Sequence, residues 1–194
     1  MNRRTALKRT GWLVGYSVTL AQATVVLSGC RQEPELTWSP EFLTNEEART
    51  VAAVVDRILP RTDTPGALDV GVPEFIDQMA AKTFTAEEQT KFRAALQELN
   101  EGTYTKMKKN FADIEFGDQD AILRDLEEIV IENARNDDQD GEPTLFDTLR
   151  GMAIFAYTTS EQIGTEVLNY DPIPGDYLGC MPLSEVPNGR LWSL

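Results

Sequence analysis

Histidine does not occur anywhere in the 194 residues. Its absence removes the usual general base, the Ser-His-Asp and Cys-His arrangements, histidine-bearing zinc sites and the C-x-x-C-H attachment of a c-type haem. Cysteine is nearly as scarce, with only Cys30 and Cys180. No G-x-G-x-x-G, G-x-S-x-G or Walker sequence is present, so a self-contained flavin, nucleotide or hydrolase site is unsupported. Basic residues are few, with 18 Lys and Arg against 32 Asp and Glu, a formal net charge of −14. Such a chain repels phosphate backbones and anionic headgroups, which excludes nucleic acid as a natural partner. There is no internal repeat, and past residue 30 no convincing run of alternating polar and apolar residues that would signal strands. The chain reads as something other than a standalone enzyme.

What is present begins at the first thirty residues. Arg3 and Arg4 are followed by the uncharged, moderately apolar run Gly11 to Gly29, which closes on Leu27-Ser28-Gly29-Cys30. The adjacent arginines resemble a twin-arginine export signal, and the closing residues resemble a lipobox, in which the Cys30 sulfur takes the lipid. The other reading is an uncleaved membrane anchor, since the run, at about 1.5 Å per residue, nearly spans a hydrocarbon core of about 30 Å. Gln22, Ser17, Thr19, Thr24 and Gly15 make it a weak spanning helix. In both readings the rest of the chain is exported and held at a membrane. Removing residues 1–29 takes Arg3, Arg4, Lys8 and Arg9 with it and moves the net charge from −14 to −18. Cys30, once lipidated, leaves Cys180 without a disulfide partner. The expected organisation is a signal peptide over 1–29, a tether over 30–41 and one domain over 42–194.

That domain is expected to be mostly α, with about five or six helices and a long irregular tail rich in Pro, Gly and Tyr. Thr44 to Glu47 form a capping box that starts a helix with Val51, Val54, Val55, Ile58 and Leu59 on its buried face, ended by Pro60. The stretch from Pro60 to Val72 holds two prolines and two glycines and is a rigid loop. Pro73 opens a second helix with Phe75, Ile76 and Met79 as core contacts. Thr85 to Glu88 form another capping box, and the helix after it is expected to stop near Asn100 or Glu101, with Gly102 as cap. Asp118 caps a fourth helix carrying Ile122, Leu123, Leu126, Ile129 and Val130. A last helix, Thr144 to about Gln162, is apolar on more than one face, which suits a central helix packed from two sides.

Between the last two helices, Asn136, Asp138, Asp140 and Asp147 fall at positions 1, 3, 5 and 12 of a loop resembling an EF-hand, with Gly141 at position 6. Asn at position 1, Asp where a bidentate Glu is usual, and Pro143 at position 8 all depart from that pattern. The alternative is a solvated acidic turn that starts a helix at Pro143.

Several separated motifs together resemble the gluconate 2-dehydrogenase subunit 3 family. They are Phe42-Leu43-Thr44 with Glu47, Asp56-Arg57-Ile58-Leu59-Pro60, Thr62-Asp63-Thr64-Pro65-Gly66-Ala67, Gly71-Val72-Pro73-Glu74-Phe75-Ile76-Asp77, Tyr157-Thr158-Thr159-Ser160-Glu161, and the tail from Pro174 to Leu183. The resemblance implies the small subunit of a periplasmic dehydrogenase complex. In such complexes FAD and catalysis belong to a large subunit of the glucose-methanol-choline type, and a cytochrome c subunit carrying haem c can take the electrons. It further implies a chain without catalytic residues or cofactor of its own, which brings its large partner to the Tat translocase and supports that partner's maturation. Pro65, Gly66 and Ala67 in the loop, and Tyr170, Pro174, Gly175, Tyr177 and Cys180 in the tail, are the expected partner surface, since fixed backbone and aromatics give contact area at low ordering cost. Packing of the same residues within the domain is the competing expectation. Two further classes remain: carboxylate catalysis through Asp56, Asp63 or Asp69, and a standalone acidic lipoprotein that binds calcium or a surface partner.

Overall fold

A Thr side chain and a Glu three residues later start two of the helices in the same way. In the computed structural model, the Thr44 N–H donates to Glu47 Oε2 at 2.8 Å and the Glu47 N–H donates back to Thr44 Oγ1 at 3.3 Å. Thr85 and Glu88 repeat the exchange at 2.7 and 3.3 Å. Each box satisfies amides that the first helical turn leaves without partners. The structure describes residues 36, 38–135, 143–173, 175, 180, 182–186 and 189–193, all within the unit Leu36–Leu194. Among them are five α-helices: α1 Asn45–Ile58, α2 Val72–Thr83, α3 Ala86–Met107, α4 Phe116–Arg135 and α5 Leu145–Thr158. A 3-10 turn, Phe111–Asp113, joins α3 to α4, and a π turn, Ile163–Val167, follows α5. No strand occurs among the described residues; the tail is tied back by an isolated parallel bridge between Asn169 and Trp192. None of the described helices is long and apolar enough to cross a membrane.

The expected mostly α fold is what is observed, and its centre is α1. This helix touches every other α-helix and the 3-10 turn. Val51, Val54 and Val55 are fully buried against Ile76 and Ala80 of α2, Leu96 of α3, Phe111, and Leu149 and Ala153 of α5. Its polar side chains reach the same neighbours. Arg49 pairs with Asp113 at 2.7 Å, Arg57 with Asp120 at 2.7 Å, and Glu47 with Arg93 at 2.9 Å. Arg57 also stacks 4.9 Å over the exposed Phe116 ring, and Arg93 lies 5.6 Å over Phe42. Stacking and pairing together hold a guanidinium more firmly than an exposed ion pair alone.

The longest departure from the sequence expectation is in α3, which runs past Asn100 and Gly102 to Met107 and ends at Lys108 in the left-handed region, φ 59°. Asn100 is a buried core residue and not a cap. Its Nδ2 donates to Thr50 Oγ1 at 2.9 Å, and its Oδ1 accepts the Phe111 N–H at 3.1 Å. Gln119 Nε2 donates to the Phe111 carbonyl at 2.9 Å. The irregular turn is thereby buried with its backbone satisfied, which an apolar core could not provide. At α4 the helix begins at Phe116, and Asp118 lies in the first turn with its N–H on the Glu115 carbonyl at 3.0 Å, so it favours the positive end without capping it. α5 ends at Thr158, earlier than expected.

One buried carboxylate joins two distant segments. Asp77, on α2 and essentially inaccessible, accepts the N–H groups of Glu41, Phe42 and Leu43 at 2.7, 3.2 and 2.8 Å. Three successive amides spread its charge and fix the chain immediately before α1.

Replacing Asp77 by Ala is expected to cost about 3 kcal/mol or more in chemical denaturation, because it leaves buried amides unpaired, with Asn less damaging since it retains one acceptor oxygen. For Glu47, burial pushes the carboxyl pKa up, but the hydrogen bonds from Arg93 and from the Thr44 backbone and hydroxyl outweigh it, so the net shift is down from the ordinary value of 4.5. A lowered folded value contributes stability that is present above the unfolded value and lost as pH falls through the folded one. Acid titration of the melting temperature should therefore show a steeper loss below about pH 4.5 for the native chain than for Glu47→Gln.

Candidate partner-binding surface

The loop from Pro60 to Gly71 is built by hydrogen bonds to its own backbone. The Ala67 N–H donates to the Leu59 carbonyl at 2.8 Å and the Val72 N–H to the Ala67 carbonyl at 3.1 Å. Asp69 turns inward, accepting the Gly66 N–H at 2.8 Å on one oxygen and pairing with Arg61 at 3.1 Å on the other. That carboxylate is occupied with shaping the loop. Gly66 is required by close approach, since a Cβ there would meet the Arg61 nitrogen at 2.6 Å. Gly71, at φ 71°, turns the chain into α2 where a side chain would be strained.

This geometry decides where the three loop residues of the expected partner surface stand. Gly66 and Ala67 are buried, Ala67 completely, and Pro65 is half-buried. The Pro65 carbonyl accepts the Tyr157 hydroxyl at 2.7 Å, locking the loop onto α5. The loop therefore packs on its own domain, and Gly66 and Ala67 offer no surface to a second protein. The motifs separated in sequence meet here: Asp77 binds Phe42 and Leu43, and Tyr157 binds Pro65.

Beside the loop lies an apolar surface that the sequence reading missed. Phe75, expected in the core, is 37% exposed, with its ring 6.0 Å from that of Phe155. Phe155 and Ile154 are 50% and 46% exposed on the outer side of α5. α5 is thus packed on one side only among the described residues. Apolar residues all round a helix signalled two packed faces but not whether the second face lies within the chain.

In the tail, the Asn169 N–H donates to the Leu191 carbonyl at 2.7 Å and the Ser193 N–H to the Asn169 carbonyl at 3.1 Å. Tyr170, Gly175 and Cys180 are exposed, Cys180 as a free thiol, and Ile173 is 84% exposed. Pro174 and Tyr177 lie outside the described residues, as do Arg3, Arg4 and Cys30. So do Asn136, Asp138 and Asp140 of the calcium candidate; Asp147 is described. Its carboxylate accepts the Thr144 hydroxyl at 3.0 Å and lies 3.5 Å from Arg150, while its N–H donates to Thr144 Oγ1 at 3.2 Å. It serves the start of α5. No metal-binding group of three or more acids or cysteines is found among the described residues.

A polar cleft of about 570 Å³ between α1 and α3 is lined by Glu46, Glu47, Glu101, Tyr104 and Asn110. Its acids are engaged: Glu46 accepts from Asn110 at 2.8 Å, Glu47 from Arg93, and Glu101 from Gln97 at 2.7 Å. The acids of this cleft are thus already committed to structure, whereas the α2–α5 side and the tail expose apolar side chains.

Residues 45–175 match the family described as gluconate 2-dehydrogenase subunit 3. The chain belongs to that family. No curated protein and no solved structure matches it. The matched span runs from the first residue of α1 into the tail and contains the Pro60–Gly71 loop, Asp77, Tyr157 and both exposed rings, so subunit 3 membership covers the whole helical body.

Gly66→Ala is expected to destabilise the domain by roughly 1–3 kcal/mol, as overpacking against backbone does. Tyr157→Phe, which removes only the hydroxyl on the Pro65 carbonyl, should cost about 1 kcal/mol. Thermal melts of the two variants check both.

Proposed function

We propose that this chain is the non-catalytic small subunit of an FAD-dependent sugar or alcohol dehydrogenase complex outside the cytoplasm. The observation that carries the reading is family membership over residues 45–175, joined to the Arg3-Arg4 export motif in the same chain. A protein that acquires FAD in the cytoplasm must cross the membrane folded, and the twin-arginine route accepts folded cargo. One signal on a small subunit then serves a stable pair. The large subunit holds FAD and performs the oxidation; a cytochrome c subunit, where one is present, receives the electrons. Lipid on Cys30 holds the assembly at the membrane. Support for an auxiliary role comes from the chemistry of the chain: no histidine, no nucleotide motif, and Asp69, Asp77 and Glu47 each bound up in structure. The same subunit supports maturation of its partner by binding it before export.

Replacing Arg3 and Arg4 by Lys should leave the flavoprotein and its dehydrogenase activity in the cytoplasmic fraction, and Cys30→Ser should release both from the membrane. Unchanged periplasmic activity in the arginine variant would overturn the export role.

A further inference from the structure

The open side of α5 and the start of α2 form one apolar surface. Gly151, Ile154 and Phe155 are exposed at helical spacing of three and four residues, which places them on one stripe. Phe75 of α2 meets that stripe through its ring contact with Phe155. Gly151 is a notch: a Cβ there would meet nothing within 4 Å, so no part of the described chain demands glycine at this point. Leu68, in the turn that feeds α2, is half-exposed as well. Between them these residues expose on the order of 400 Å² of apolar surface, the size of the largest patch on a typical monomer, which is often functional. Both helices are packed into the core on their other sides, so docking would order little that is not ordered already.

The charges around this surface select among occupants. Two arginines that lie beside this surface in sequence, Arg61 in the loop and Arg150 next to Gly151, are neutralised within the chain by Asp69 and Asp147. Glu74, beside Phe75, and Glu161, just beyond α5, have no ion pair among the described residues. The rim is therefore acidic around an apolar centre. A second copy would bring the same acidic rim onto itself, and an anionic lipid surface would be repelled. A different protein with Lys and Arg around an apolar centre fits.

The geometry points to this α2–α5 face as the surface on which the FAD-bearing large subunit docks. The inference rests on the functional reading above and adds the place of contact and the complementary chemistry of the partner. It also accounts for the sequence of α5: the helix is apolar on two sides because the second side is packed by another chain.

The test uses the full-length tagged chain co-expressed with its large subunit, reading the flavin absorbance retained on the tag. Three variants are compared with the unaltered chain: Phe75→Glu with Phe155→Glu; Gly151→Lys, which adds a long side chain at a position with room for it and improved helix propensity; and Ile129→Glu with Ile131→Glu, both exposed on α4, as control. Helical circular dichroism and melting temperature establish that each is folded. The expected result is full flavin retention by the unaltered chain and the α4 control, and a loss of affinity of about 100-fold in the two α2–α5 variants. Folded Gly151→Lys retaining flavin as the unaltered chain does would overturn the proposal, as would equal loss in the α4 control. A dimer of the isolated chain that Gly151→Lys converts to monomer would assign the face to self-association instead. If the unaltered chain retains no flavoprotein, the functional reading itself fails, a result distinct from all of these.

Discussion

The fold depends on how α1 is entered. Asp77, carried on α2, holds three consecutive amides from residues 41 to 43, and the next residue, Thr44, caps α1. A buried carboxylate is costly unless hydrogen bonds replace its water, and here the backbone provides them. The contact is long-range, spanning 34 to 36 residues, so it fixes the start of α1 relative to α2. Since α1 touches every other α-helix, an error in its starting position would propagate to all of them.

Around this hub the polar residues divide their work by burial. Thr50, Asn100 and Gln119 are buried; Asn100 and Gln119 satisfy the backbone of an irregular turn, and Thr50 holds the Asn100 amide. Arginines at the margin of the core reach acids on neighbouring elements over aromatic rings. Three acids are taken up in the same way. Asp69 shapes a loop, Asp147 starts a helix and Glu47 closes a cap. A highly acidic chain thus uses part of its carboxylates to shape its own fold.

Local signals in the sequence predicted the capping boxes at Thr44 and Thr85, the end of α1 before Pro60, the glycine-dependent loop and the apolar faces of α1 and α3, because each rests on residues within one or two turns of each other. They misplaced the end of α3, the first turn of α4 and the position of Phe75. In each case the deciding contact comes from elsewhere: Asn100 is held by Thr50 and Phe111, and Phe75 sits beside a ring from α5. The loop shows both sides. Its rigidity could be read from Pro and Gly, whereas the inward direction of Gly66 and Ala67 depends on Leu59 and Tyr157. Phe75 and Phe155 were legible only as apolar helix residues, and periodicity treats a core face and a docking face alike.

The sequence by itself determined the helical class, the caps, the absence of histidine chemistry and the subunit 3 family. These follow from composition, short-range spacing and the order of motifs. Tertiary structure alone decided that Asp77 is a clamp, that the loop faces its own domain, and that one side of α5 is left uncovered among the described residues. Each of those depends on which distant segments meet, and a one-dimensional pattern specifies the faces of helices without specifying what will lie against them.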